Sequence, residues 1–486
     1  MKQDLVLSHA APNRAGFMSD TAHLLTRSTH TEQTLRTEFA ALARLALPLA
    51  AANLLQMAVY AIDVIFIARL GTQELAASTL ATSTYGLSLW CTLGLISAVA
   101  PMAATALGRG RHAVREVRRS FRMALWMAVF GGIFVMTICM LADDFMRLTG
   151  QSEEIATMAG EYLFWVAPAA IPVIASNALR IFVSTMDRAF IATWVTVLAL
   201  FVNAGFNWLL IFGNWGFPAW GLKGAAIASV ITAVVVLLAY VAIIQWDRRM
   251  RRHYLFGRLW RPDWQRLAEL WRVGLPIGAI TLAEGGLFSS AAYLIGAIGT
   301  LELAAHTVAL GLGALCFQVP FGIAQAATIR VGLHNGAGQP GGIHRTGLAT
   351  IMLTIALAVL FAALMLGVPE LLLSIYVDVD AAQNASLVAL AVTYLVVAAA
   401  FQLFDGAQAV LAGLLRGLSD TRVPFVHAVV GYWLFGFGTA WVLGFHTPLG
   451  GLGVWIGLAV GLVVTSILLG HRWHSRERLG LVMPRG

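Results

Sequence analysis

Apolar stretches of 18 to 25 residues recur along the chain from Leu45 to Leu469. Each is long enough to cross a hydrocarbon core of about 30 Å as a helix. The alternating pattern that membrane-spanning strands require is absent, so only helices can satisfy the backbone hydrogen bonds in lipid. The pattern therefore predicts an all-α integral membrane protein with about twelve transmembrane helices. Their expected positions are roughly 45–67, 76–100, 120–141, 158–183, 190–212, 223–245, 269–298, 303–329, 347–368, 385–413, 424–444 and 451–470.

One long polar break, rich in arginine, divides these helices into six and six. We assign residues 246–268 to this linker, residues 37–245 to an N-terminal six-helix lobe and residues 269–472 to a C-terminal six-helix lobe. Polar tails occupy residues 1–36 and 473–486. The first tail lacks a continuous apolar core and a small-residue cleavage site, so it is not a secretory signal peptide. The simplest role of the linker is a connector attracted to anionic lipid headgroups.

Positive charge marks one side of the membrane. Of the 32 Lys and Arg residues, 29 lie in the two tails and in the connections that follow even-numbered helices. The other side holds only Arg69, Arg147 and Lys223. Because connections rich in Lys and Arg stay in the cytoplasm, both termini and the linker are expected there. Three arginines near helix ends on this side are expected to reach out to the interface: Arg180, Arg330 and Arg416.

The two lobes repeat each other at an offset of 228 positions. Leu47-Pro48 falls on Leu275-Pro276, and eight of eleven residues are identical between 71–81 and 299–309. Both copies keep the same orientation because six helices return the chain to its starting side. Such copies are related by an axis along the membrane normal, and transporters built this way bind near the midplane between the halves. We therefore predict two six-helix bundles related by a parallel pseudo-two-fold repeat.

Composition excludes several classes of protein. The chain is 59% hydrophobic and 12% charged, whereas soluble domains have about 25% charged residues. Its net charge of +8 lies in the cytoplasmic connections, so it does not indicate a nucleic-acid partner. Cys91, Cys139 and Cys316 lie in apolar runs without metal-ligand spacing, and we expect them to act as small hydrophobic residues. No Gly-rich phosphate loop with a lysine occurs, and no cofactor is predicted beyond a coupling ion.

Three carboxylates lie inside predicted helices: Asp63, Glu284 and Asp405. An acidic residue near the bilayer centre costs roughly 2.5–3.5 kcal/mol, so each suggests a functional site. Gln56 lies two turns before Asp63 on the same helix face. At the repeat offset, Glu284 falls on Gln56. The polar positions of the two copies have therefore diverged, and each lobe is expected to hold its own acidic site.

Neutral polar residues accompany these carboxylates. Gln402, Asp405 and Gln408 recur every three residues, and Asn203 and Asn207 share a face at a spacing of four. One interpretation is structural, because interhelical hydrogen bonds are common. The other is ion coupling, since a carboxylate without an intramembrane Lys or Arg takes up a proton or binds a metal cation. A cationic substrate could compete for the same groups. An aromatic ring one turn after Glu284 could contact such a ligand: Phe288.

Several of these residues together resemble the multidrug and toxic compound extrusion (MATE) family, in particular its NorM branch. The resemblance lies in Pro48, Asp63 and the Glu-Leu-Ala-Ala that follows Gly71, in its second copy after Glu284, and in the run from Asn203 to Ala226. It extends over about residues 37 to 472. It implies a V-shaped molecule of two six-helix bundles. It also implies export of polyaromatic, often cationic compounds in exchange for Na⁺ or H⁺.

The resemblance also implies roles for individual residues. Glu284 and Asp405 match the acidic positions of cation coupling and would be the metal ligands if the ion is Na⁺. Asp63 matches a polar cluster that binds a proton or the drug. The coupling ion stays open, because Phe317 stands where Na⁺-coupled relatives often have Tyr. The residues expected to bind substrate are Asp63, Gln56, Asn203, Asn207, Phe288 and Gln402.

We thus expect a cation-coupled antiporter of a bacterial inner membrane that works by alternating access as a monomer, with small-molecule substrates and lipid contacts. Three alternatives stay open. A flippase for lipid-linked oligosaccharides belongs to the same superfamily, but the sequence places no Lys or Arg at membrane depth for an anionic substrate. An integral membrane enzyme would need a catalytic cluster at one membrane surface, and the sequence has no such pattern. A non-transporting receptor predicts no loss of drug tolerance when Glu284 is changed.

Overall fold

Twelve helices long enough to cross a membrane form the structure, a computed structural model that describes residues 34–110, 112–148 and 151–482. Those residues contain no β-strand. The predicted all-α class and the number of twelve helices are confirmed. In chain order the helices are α1 Leu35–Ala68, α2 Thr72–Arg109, α3 Ala113–Leu148, α4 Glu153–Thr185, α5 Phe190–Phe212, α6 Gly221–Trp246, α7 Trp264–Ile298, α8 Thr300–Gly336, α9 Pro340–Gly367, α10 Ala382–Gly417, α11 Arg422–Phe445 and α12 Gly451–His474.

Most of the predicted N-terminal tail, residues 1–33, and residues 483–486 of the other tail lie outside the described residues. Helix α1 begins ten residues before its predicted start at 45. The Thr34 hydroxyl caps it by accepting a hydrogen bond from the Thr37 N–H. The polar residues of this first segment lie on a helix whose other face buries Leu42 and Leu45. Because these residues have low hydropathy, the predicted span started too late in the chain.

Three helices are interrupted. α2 consists of Thr72–Ile96 and Val99–Arg109. α4 contains a 3₁₀ turn at Ala167–Ala169, where Pro168 cannot donate a backbone hydrogen bond. α11 is π-helical over Val430–Phe437. Such π segments are rare and often lie at functional sites.

Each lobe has its own apolar core, and the core of the first lobe also includes Leu267, Leu270 and Ile277 from the start of α7. In the first half, Phe121 and Phe182 meet edge to face with their ring centroids 5.1 Å apart. In the second half, Trp455 is fully buried, and its ring centroid lies 5.6 Å from that of Tyr394 and 5.5 Å from that of Phe401. The chain thus folds as two lobes, formed by α1–α6 and α7–α12.

A third core joins the lobes at one end. It packs Leu42, Leu45 and Leu49 of α1 against Ile323 and Ala327 of α8. This end also carries the connection between α6 and α7, and we call it the linker end. The other end of the helices, where α1 leads into α2, is the outer end.

Two glycine contacts bring the lobes into backbone contact. A Cβ atom on Gly322 would lie 2.6 Å from the backbone N of Ala50, and one on Gly94 would lie 2.8 Å from Cα of Gly278. At the repeat offset, Gly94 falls on Gly322 and Ala50 falls on Gly278. The same contact is therefore made twice, as expected for a self-complementary interface with pseudo-two-fold symmetry.

Candidate functional site

The first acidic site lies in the N-terminal lobe, between α1 and α5. The side-chain amides of Asn203 and Asn207 both donate to Asp63 Oδ1, at 2.9 and 2.6 Å. Asn207 Nδ2 also lies 3.2 Å from Asn203 Oδ1. Both asparagines are buried, with exposures of 1% and 0%. The structure thus brings together the three polar residues that the sequence singled out here, and Asp63 Oδ2 has no hydrogen bond to the described residues.

Gln56 and Phe288 lie apart from these hydrogen bonds. Gln56 is exposed on α1, two turns before Asp63. Phe288 is half-buried and packs against the core of the second lobe. Neither side chain forms a hydrogen bond with an acidic group among the described residues.

The second acidic site joins three helices of the C-terminal lobe. Gln408 Nε2 on α10 donates to Glu284 Oε1 on α7 at 2.8 Å. The Tyr432 hydroxyl on α11 donates to Gln408 Oε1, also at 2.8 Å. Tyr432 is fully buried and lies in the π-helical segment of α11. Because the Tyr432 hydroxyl donates to the amide oxygen of Gln408, the amide NH₂ group of Gln408 faces the Glu284 carboxylate.

Asp405 and Gln402, one and two turns before Gln408 on α10, complete this site. Asp405 is 4% exposed and interacts electrostatically with Glu284. Its Oδ1 atom and both polar side-chain atoms of Gln402 are buried without a hydrogen-bond partner among the described residues. Buried polar atoms without partners are rare and need an explanation. Carboxylate and amide oxygens are the ligands that hard cations prefer, so this donor set fits Na⁺, and a proton would equally relieve the repulsion between the two carboxylates.

No group of three or more His, Cys, Asp or Glu side chains in the described ranges could hold a metal ion. A cation at the second site would therefore depend on two carboxylates supplemented by amide oxygens. Arg416 also interacts electrostatically with Glu284. Arg416 lies on α10 two turns beyond Gln408, and no ion pair joins it to Glu284 among the described residues.

Sequence reasoning missed Glu38, which closes the linker end. This α1 carboxylate is 1% exposed. Arg330 of α8 holds both of its oxygens, through Nε at 3.0 Å and through Nη2. Thr346 Oγ1 of α9 donates to Oε1 at 2.7 Å, and His334 Nε2 lies 3.3 Å from Oε2. We call these four residues the Glu38 cluster; it ties the first lobe to the second.

Arg180 of α4 also bridges the two lobes. Its guanidinium donates to Asn53 Oδ1 of α1 at 3.2 Å and to Gln325 Oε1 of α8 at 3.4 Å. The expectation that Arg180 and Arg330 reach out to the interface is therefore wrong, because both are bonded between the lobes. The charge on each is used to hold the linker end closed.

One signal in the sequence could have revealed part of this. Glu38 recurs with Leu42 and Leu45 at helical spacing, which would have extended α1 and buried the carboxylate. Tyr432 has no comparable signal, because an isolated Tyr in an apolar helix is also typical of an interfacial belt.

Comparisons with known proteins agree with this architecture. The family model MatE matches residues 48–209 and 276–442. The chain is 41% identical to a probable multidrug resistance protein NorM of Mesorhizobium japonicum, over 92% of this chain and 96% of that one. It is also 41% identical to a probable NorM of Brucella suis, over 88% and 91%.

Solved structures show the same fold. The structure of the eukaryotic MATE transporter AtDTX14 matches with a TM-score of 0.81 at 21% identity, over 92% of this chain and 99% of that one. An outward-facing multidrug resistance MATE family transporter matches with a TM-score of 0.81 at 20% identity, over 91% and 96%. The predicted V-shaped arrangement of two helix bundles is confirmed by such neighbours.

Proposed function

Because this chain belongs to the MATE family, whose model and NorM relatives match most of its length, we propose that it exports cationic or polyaromatic drugs and toxic compounds in exchange for Na⁺ or H⁺. It is a multi-pass membrane transporter and not an enzyme. The coupling proposal rests on the pair of buried carboxylates in the second lobe, Glu284 and Asp405. Asp405 Oδ1 and the side-chain amide of Gln402 beside it have no hydrogen-bond partner among the described residues.

The coupling cation acts on this pair. Two carboxylates in a medium of low dielectric repel each other, and Na⁺ or H⁺ removes that repulsion. Gln408 holds one oxygen of Glu284, so the remaining oxygens of the pair are the ones that receive the ion. The second lobe is thus the lobe that senses the ion.

The drug is assigned to the first lobe. Asp63 Oδ1 is held by two amides, and Oδ2 is left to accept a cationic group or a proton. Gln56 on the same helix and Phe288 of the second lobe are the further contacts we propose, the second through its ring face. A proton on Asp63 would compete with the drug, which supplies a release step.

Alternating access follows from the placement of charge. The arginine-rich connections support a cytoplasmic position of the linker end, and the closed end of this structure would then face the cytoplasm. Opening it requires α1 to separate from α8, which breaks the Glu38 cluster. A membrane potential supplies about 2.3 kcal/mol per charge per 100 mV, and net inward charge or inward ion flow must drive export.

The test measures transport of ethidium and norfloxacin in everted inner-membrane vesicles, with a Na⁺ gradient and a pH gradient applied separately. Glu284→Gln and Asp405→Asn are expected to abolish transport under the gradient that drives the parent protein. Glu370→Gln serves as the control, because Glu370 is an exposed carboxylate of the same lobe. Normal transport by both site variants under both gradients would refute the assignment.

A further inference from the structure

A cluster of arginines lies at the linker end, away from both acidic sites. It comprises Arg118, Arg119 and Arg122 of α3 together with Arg261 of the linker, and we call it the arginine cluster. The guanidinium of Arg122 is repelled by the other three, and Asp263 is the carboxylate that attracts it. Asp263 is thus the carboxylate that acts on Arg122, while Arg119 is also attracted by Glu116 and Glu269.

The linker is held against α3 at this point, so the cluster has a defined shape. Trp126 Nε1 donates to the Leu259 carbonyl oxygen at 2.7 Å. The backbone N–H of Asp263 donates to Met123 Sδ at 3.2 Å. The Asp263 carboxylate also caps α7 by accepting from the Arg266 N–H at 3.2 Å. These contacts fix Arg261 relative to α3.

Acidic partners do not neutralise the cluster. Asp263 is occupied by Arg119, whose guanidinium bonds its carboxylate and holds its pKa below the ordinary value. The other nearby carboxylates, Glu116 and Glu269, both pair with Arg266. Arg122 Nε is buried without a hydrogen-bond partner among the described residues. A guanidinium with unused donors in this setting needs an anionic acceptor.

The surroundings point to lipid as the source of that anion. Trp260 and Trp264 flank the cluster in the chain and are 75% and 64% exposed. Tryptophan side chains in such positions lie at the headgroup level of a bilayer. Basic pockets between helices at a cytoplasmic surface bind anionic headgroups, and guanidinium groups hold phosphate with paired hydrogen bonds.

We propose that the arginine cluster binds the phosphate of an anionic phospholipid headgroup, of the phosphatidylglycerol class, in the cytoplasmic leaflet. The lipid supplies acceptors for Arg122 and Arg118 and brings the headgroup against the exposed tryptophans. By joining α3 to the linker, it also fastens the start of α7 to the first lobe. The proposal does not depend on which ion drives transport.

Native mass spectrometry of the purified full chain tests this, after titration with phosphatidylglycerol in a background of phosphatidylethanolamine. The double variant Arg118→Gln, Arg122→Gln is expected to weaken binding of the tightest phosphatidylglycerol by roughly tenfold or more, because charge-assisted bonds are lost. The control is Arg251→Gln, Arg252→Gln, which removes the same charge from exposed linker positions and is expected to retain that lipid.

Three results would overturn the proposal. These are unchanged lipid binding in the cluster variant, equal loss in the two double variants, and displacement of the lipid by millimolar inorganic phosphate, which would indicate a site for a free anion. Thermal unfolding in detergent checks that the variants fold. If the double variant does not fold, Arg261→Gln replaces it, because Arg261 is exposed; it should weaken binding in the same direction, and unchanged binding would again refute the proposal.

Discussion

Replacing Glu38 with alanine should open the linker end of the transporter. In the closed form this carboxylate is 1% exposed and receives Arg330, His334 and Thr346 from the other lobe. Glu38→Ala leaves the Arg330 guanidinium between the lobes without its counter-charge. In a form open at the linker end both side chains would be hydrated, so the cost falls on the closed form alone.

The size of the effect of Glu38→Ala follows from the burial of the Glu38–Arg330 ion pair. Removing one partner of a buried ion pair costs about 3–5 kcal/mol. The Arg330 side chain is 17% exposed, so water reaches part of it and the lower end of that range, about 3 kcal/mol, is appropriate. Since about 1.4 kcal/mol is a factor of ten, the ratio of closed to open molecules should fall by a factor of roughly 10².

A single cysteine can report on this equilibrium. Thr105→Cys is nearly isosteric, and Thr105 is 8% exposed on α2 where its backbone carbonyl packs against Gly336 of the other lobe. In a background that lacks the three native cysteines, we expect N-ethylmaleimide to alkylate this position faster in Glu38→Ala than in the parent. The rise should approach 10²-fold until the open form predominates.

The chain offers a matched control for loss of a buried ion pair. Arg472 bonds both oxygens of Asp420, and their side chains are 16% and 8% exposed, but both residues lie in the second lobe. Asp420→Ala should therefore lower the thermal midpoint without changing alkylation of the reporter. The reasoning fails if Glu38→Ala leaves the alkylation rate unchanged, or if Asp420→Ala raises it as much.

Three further predictions concern other parts of the molecule. Tyr432→Phe removes the hydrogen bond to the α10 amide at a cost of about 0.5–1.5 kcal/mol, so transport rate should fall while the thermal midpoint changes little; an unchanged rate would contradict a role for this hydroxyl. Gly322→Ala places a Cβ 2.6 Å from a backbone N of α1. Such overpacking should destabilise the closed form by about 1–3 kcal/mol and raise alkylation of the reporter cysteine. Gly313→Ala is the control, because Gly313 has open space around it, and it should leave alkylation unchanged. Asp263→Asn should lower the thermal midpoint at pH 7. The bond from Arg119 lowers the Asp263 pKa, so its stabilisation is present above the unfolded pKa of about 3.9 and is lost as pH falls through the lower folded value; a difference independent of pH would refute this.

The periodicity of apolar residues was enough to predict much of the fold. The energetic cost of a carboxylate inside a membrane helix was enough to identify the candidate acidic residues. Apolar length predicted twelve helices, which the structure confirms. Asn203 and Asn207 were placed on one face because residues four apart on a helix lie together, and both bond Asp63 in the structure. These predictions depend on spacing within a single helix, which the sequence displays directly.

Contacts between distant helices were not predictable in the same way. Gln408 was recognised as part of a polar stripe, but its partner Tyr432 comes from another helix and an irregular π segment. Glu38 lies before the predicted start of the first span at 45, so it was not among the carboxylates expected inside a helix. Its burial depends on α8 and α9, which contribute Arg330 and Thr346. Tertiary packing, rather than any local pattern, determines that this carboxylate is paired.

The repeat accounts for the steric part of closure at the linker end. Besides the contact at Gly322, a Cβ on Gly336 would collide with the Thr105 carbonyl, and one on Gly108 would collide with the Leu333 carbonyl. These two contacts are also copies of each other, because Gly108 falls on Gly336 and Thr105 falls on Leu333 at the repeat offset. Duplication of one ancestral unit would therefore supply both halves of a close backbone interface at once, since each lobe carries the same small residues.

The charge that holds this interface is not duplicated. At the repeat offset, Glu38 falls on Arg266, and Arg330 falls on Met102 of the first copy. The α7–α2 contact therefore lacks the ion pair that the α1–α8 contact has. Steric fit stabilises the closed form at both contacts, on either side of the pseudo-two-fold axis. The ion pair stabilises it only at the α1–α8 contact. α1 also carries Asp63, about 37 Å farther along the helix than Glu38. The helix that must separate from α8 when the linker end opens therefore also forms the acidic site of the first lobe. Divergence between the two copies has thus placed both charged groups on α1, and the proposed drug site and the ion pair that holds the linker end lie on a single helix.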